Sequence, residues 1–137
     1  MLLPSSSPTK LALPMFTSRV QGGFASPADD HLEGTVDLNE LLIQRPAATF
    51  FLRVSGHSMI GAGIHEGDLL VVDKSIEAKD GSIVIAALNG QLTVKRLSYE
   101  HGEVCLVPEN PEFSKVLIQE FDELVIWGCV TNVIHAL

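Results

Sequence analysis

The chain has 137 residues, 46% of them apolar, and a formal net charge of −8; this suits one domain and is too apolar for disorder. A chain of this length buries roughly two-thirds of its unfolded surface, so it needs no disulfide or metal staple. The acidic balance excludes a general phosphate-backbone binder, whose affinity comes from clustered Lys and Arg, so any nucleic acid is met through a partner.

Residues 1 to about 35 read as an extended arm. Four prolines (Pro4, Pro8, Pro14 and Pro27) and a cluster of serines fall there, and no period of 2 or 3.6 is sustained. Leu11, Leu13, Met15 and Phe16 give the arm apolar spots that can dock along a surface. The start, MLLPSSSPTKLALPMF, has no charged leader and is interrupted by proline, so it is not a secretory signal. No run approaches the roughly 18 apolar residues of a membrane span, and a cytoplasmic protein without membrane contact is expected.

A short helix is predicted over residues 37–44, where Asp37 caps, Glu40 completes a capping box and Pro46 stops the helix. From there the pattern is β. TFFLRV, DLLVVD, SIVIAAL, QLTVKRL, EVCLVP, KVLIQ and ELVIWGCVTNVI are short, β-branched and separated by Gly, Asp, Asn and Pro. The expected architecture is a mainly β domain over residues 36–137 behind an arm over residues 1–35. Cys105 and Cys129 lie in apolar segments and read as buried free thiols; two isolated cysteines make neither a metal cluster nor a disulfide framework.

Asn89-Gly90 is the preferred pair for a two-residue type I′ turn. It sets Leu88 against Gln91 and Lys95 against Val84, so that Lys95 shares a face with Ser82, Ala86, Thr93 and Leu97 while Arg96 points away. A lysine there either lays its stem on apolar surface and reaches water, or is desolvated into a neutral base. The difference is large, because at a pKa of ~10.4 only about one lysine in 2,500 is neutral at pH 7.

SGHSMI, residues 55–60, places Ser58 at the end of the TFFLRV strand. By itself a serine there is a turn former, and Ile60 breaks the Gly-x-Ser-x-Gly nucleophile elbow. His57 is a poor base for Ser58, because adjacent side chains on an extended segment diverge. His31, His65, His101 and His135 have no neighbouring signature and read as surface or structural residues; no metal and no cofactor are expected. Lys95 remains the best candidate base.

SGHSM, GIHEGDLLVVD and TVKRL together resemble the LexA/UmuD family of self-cleaving serine–lysine peptidases, and VQGGFASPADD, VDLNELLIQRPAATFF and GSIVIAALNG extend the likeness to its UmuD branch over most of the chain. The resemblance implies a LexA C-terminal-domain-like β fold, with Ser58 as nucleophile and Lys95 as base. It implies one self-cleavage at Gly22–Gly23, in VQGGFASP. The residue before the cut is commonly Cys or Ala in that family; Gly22 adds backbone entropy and implies slower cutting.

The resemblance further implies stimulation by RecA–single-stranded DNA filaments after DNA damage. The trimmed homodimer would join a UmuC-type polymerase for error-prone translesion synthesis in the SOS response. The residues before the domain are too few for the helix-turn-helix module of a LexA-type repressor, which argues against direct specific DNA binding. The rival readings are a non-cleaving regulatory dimer that binds such a polymerase, kept open by Gly22, and a signal-peptidase-like Ser–Lys enzyme acting on other proteins.

Overall fold

The computed structural model describes residues 2–5, 8–16, 20 and 32–137. The chain divides into two units, one of residues 7–44 and one of residues 1–6 with 45–137. In the first, β1 (Ala12–Phe16) pairs antiparallel with β2 (Leu32–Asp37), which leads into helix α1 (Leu38–Leu42). Asp37 caps α1 as predicted, its Oδ1 accepting from Asn39 N at 2.9 Å. The helix is shorter than predicted because Ile43 is already extended, and Pro46 opens a separate 3-10 turn over Pro46–Ala48. The residues read as a patternless arm therefore contain β1 and the start of β2; Pro14 and Gly34 had masked both strands.

The second unit is a seven-stranded antiparallel sheet of β3 (Thr49–Arg53), β4 (Leu69–Asp73), β5 (Ile83–Leu88), β6 (Gln91–Glu100), β7 (Glu103–Val107), β8 (Val116–Leu117) and β9 (Leu124–Ile134), in the order β3-β4-β9-β5-β6-β7-β8. The mainly β expectation holds. All seven apolar runs picked from sequence form strands, KVLIQ yielding only the two residues of β8. Leu2 adds a bridge to Phe51 on β3.

β9 joins the halves by pairing with both β4 and β5, and its register shifts once against each, opposite Val71/Val72 and opposite Ile85/Ala86. Such bulges bend a strand and let its sheet coil. Gly128 lies between them, where a Cβ would come within 2.9 Å of both Asp73 O and Val72 Cγ1, so β4 and β9 can approach this closely only at glycine.

The alternation of β5 separates two apolar clusters. Ile85 joins Phe50, Val54, Met59, Ile64, Leu70 and Val72, whereas Val84 and Ala86 join Leu97, Leu106 and Cys129. Cys105 and Cys129 are buried free thiols, as expected. No helix among the described residues is long and apolar enough to cross a membrane.

Candidate active site

Asn89 and Gly90 both take positive φ, 51° and 83°, as a type I′ turn requires. The register is the one the turn predicts: Leu88 opposite Gln91, Val84 opposite Lys95, Ile83 opposite Arg96. β7 pairs with β6 only from Arg96 onward, so Lys95 lies where β6 has a neighbouring strand on one side only.

Lys95 Nζ lies 3.0 Å from Ser58 Oγ, 2.7 Å from Thr93 Oγ1 and 3.1 Å from Val94 O. These three oxygens suit an ammonium. They suit the neutral amine equally well, since its two N–H groups can donate to Thr93 and Val94 while its lone pair accepts the Ser58 proton. Burial pulls the Lys95 pKa below the ordinary lysine range, with no carboxylate among those contacts to hold the charge. Of the two readings open from sequence, desolvation is the one this geometry favours.

The register puts Lys95 on the expected face, and its amine opens on a cleft with further apolar walls. Val84, which pairs with Lys95, belongs with Ala86 and Leu97 to one apolar cluster. The cleft at Ser58 and Lys95, about 220 Å³, is walled by Leu52, Val54, Leu70 and Ile85.

Ser58 is held by its main chain. Glu109 N donates to Ser58 O at 2.9 Å, Gly61 N donates to Glu109 O at 2.7 Å, and Asn110 Nδ2 donates to His57 O at 2.9 Å. Met59, 1% exposed, anchors the loop in the core. Gly61 is required by proximity, for a Cβ there would stand 2.6 Å from Glu109 O. The Glu109 side chain in turn pairs with Arg96 Nε at 2.5 Å, so the neighbour of Lys95 grips the residue that holds Ser58.

His57 turns away, as expected; it is exposed and lies 3.7 Å from Glu66. Thr93 falls on the face of Lys95 that the hairpin predicts, whereas Glu109 and Asn110 had no sequence signature, because they bind backbone groups distant in the chain. Gly22 and Gly23 lie outside the described residues. His65 and His135, read as isolated, converge on Asp68.

The pattern of the family described as Peptidase S24-like matches residues 14–131. The chain is 44% identical over 135 residues to Protein SamA of Salmonella typhimurium, covering 98% of this chain and 94% of that one. It is 50% identical over 123 residues to Protein ImpA of Escherichia coli, covering 89% and 83% respectively. It is also 41% identical over 141 residues to the LexA repressor of Bordetella avium, covering 98% of this chain and 65% of that one. A match from residue 14 to residue 131 spans most of the sheet and both residues of the Ser58–Lys95 pair, and the chain belongs to the Peptidase S24-like family, in its LexA/UmuD-type branch.

Proposed function

We propose that the chain is a serine–lysine peptidase that cuts itself at Gly22–Gly23. The observation that supports this best is the 3.0 Å approach of a desolvated Lys95 amine to Ser58 Oγ. Neutral Lys95 takes the Ser58 proton as Oγ attacks the Gly22 carbonyl carbon. Backbone N–H groups around Ser58 stabilise the oxyanion. The protonated Lys95 then donates to the departing Gly23 nitrogen, leaving an ester between Gly22 and Ser58. Lys95 next takes a proton from water, whose oxygen attacks the ester; as the bond from the Gly22 carbonyl carbon to Oγ breaks, Lys95 returns the proton to Oγ and frees Ser58.

Residues 1–35 act as the arm that carries the scissile bond, and residues 36–137 as the peptidase domain. Because the substrate is tethered, the rate is governed by how often the arm lies in the cleft, and an activator need only favour that docked state. In this reading the activator is the RecA–single-stranded DNA filament in the cytoplasm. The trimmed homodimer joins a UmuC-type polymerase for SOS mutagenesis, the DNA-damage response that relies on translesion synthesis.

Intact mass of the purified chain, incubated near pH 10 and separately with RecA filaments, tests the proposal. Loss of residues 1–22 from the parent but not from Ser58→Ala is the expected result. A parent chain that stays whole under both conditions overturns self-cleavage and favours the regulatory dimer.

A further inference from the structure

His65, Asp68 and His135 are assembled from the turn before β4 and from the residue after β9. One ligand atom from each lies within 4.8 Å of the others. The Asp68 carboxylate is buried, its side chain 2% exposed, whereas the imidazoles of His65 and His135 are 52% and 47% exposed. The rings approach at 5.2 Å between centroids, tilted by 49°. His135 Nδ1 stands 2.5 Å from Asp68 Oδ1, and His65 Nδ1 stands 3.8 Å from Oδ2.

Around a tetrahedral ion with bonds near 2.0–2.1 Å, neighbouring ligand atoms sit about 3.3 Å apart. The two observed separations bracket that value but run to different oxygens, so an ion held by one of them draws the other imidazole across from its own oxygen. One ligand atom from each residue already lies within 4.8 Å of the others, and closing to about 3.3 Å is a movement that two half-exposed rings can make. Asp68 supplies the fixed point: its Oδ2 also accepts from His65 N at 2.8 Å, and its backbone oxygen accepts from Val54 N at 2.9 Å.

We propose that His65, Asp68 and His135 bind one divalent ion of the zinc class through two imidazole nitrogens and one carboxylate oxygen, with the fourth position open to water. Two nitrogens and one oxygen favour zinc over calcium or magnesium, which take oxygen ligands. The ion would pin the end of β9 to the turn that carries Asp68. Through Val54, that turn borders the segment leading to Ser58. The proposal is independent of the dyad and of any cleavage.

Calorimetric titration of the chelator-treated full chain with Zn2+ alone tests it. One ion per chain is expected, with affinity falling at least about tenfold in His65→Ala and in His135→Ala, since even outer partners of a metal cost that much. Both rings are half-exposed, so both variants should fold; His101→Asn, away from the cluster, should bind as the parent does. Co2+ should give visible absorption that His135→Ala loses, and Zn2+ should raise the parent's melting temperature but not that variant's. Absence of one-to-one binding, or binding unchanged in His135→Ala, overturns the site.

Discussion

The two halves of the candidate dyad are placed in opposite ways. Lys95 is positioned by a hairpin closed over two residues, Asn89 and Gly90, so its register is set by neighbours in the chain. Ser58 is positioned by the segment after β7, through Glu109 and Asn110. Local placement survives a distant disturbance, whereas placement by a distant backbone does not. The base should therefore be the robust member of the pair and the nucleophile the vulnerable one.

The largest effect removes the chemistry itself. Lys95→Ala should abolish cutting, with circular dichroism unchanged, because the desolvation of the half-buried amine offsets its contacts with Ser58, Thr93 and Val94. Partial activity in Lys95→Ala would mean that another group takes the Ser58 proton.

Gly61→Ala and Gly90→Ala break the comparison directly. At Gly61 a Cβ meets backbone at 2.6 Å, so the loop must part from Glu109, at about 1–3 kcal/mol as for other overpacked sites. Cleavage should fall at least tenfold by the orientation argument. At Gly90 a Cβ meets nothing within 4 Å, and only the positive φ of 83° is strained, costing about 1–2 kcal/mol. Urea midpoints should fall in both variants, but cleavage only in Gly61→Ala. Equal loss of cleavage would show that the hairpin is as delicate as the loop.

The pH dependence sharpens the assignment of Lys95. Burial lowers its folded pKa beneath the unfolded value. Below the folded value both states are charged, and the folded state bears the full cost of desolvation; above the unfolded value, ~10.4, neither state is charged. Stability relative to Lys95→Met should therefore rise with pH between those two values. The cleavage rate should climb about tenfold per pH unit up to the folded pKa and then level off. A plateau only above pH 10.4 would mean that the lysine is not desolvated.

The same division explains what could be read from the sequence. The hairpin, the register of Lys95, the cap at Asp37 and all seven strands of the large sheet follow from local pattern. The pairing of β1 with β2 does not, since Pro14 and Gly34 disguise each strand and only the partner reveals it. Nor do the cleft walls, because Leu52, Leu70 and Ile85 come from three different strands. His135 and Asp68 meet across 67 residues, a separation at which no spacing rule operates.

The smallest effect probes the link between the two halves. Arg96 adjoins Lys95 in sequence and grips Glu109 in space, yet both side chains are about one-third exposed. Exposed pairs contribute about 0–1 kcal/mol, so Arg96→Ala should shift the melting temperature by a few degrees at most. Arg96 also donates to Gly81 O at 2.6 Å, which fastens it to the turn before β5. Glu109→Gln keeps the Ser58 and Gly61 backbone bonds and removes only the charge. If the ion pair aligns the dyad, both variants should cut two- to fivefold more slowly, a loss of about 0.4–1 kcal/mol in transition-state stabilisation. If the backbone bonds suffice, Glu109→Gln should match the parent while Gly61→Ala still fails, and the position of Ser58 then rests on the main chain of Glu109 and the amide of Asn110 rather than on the ion pair.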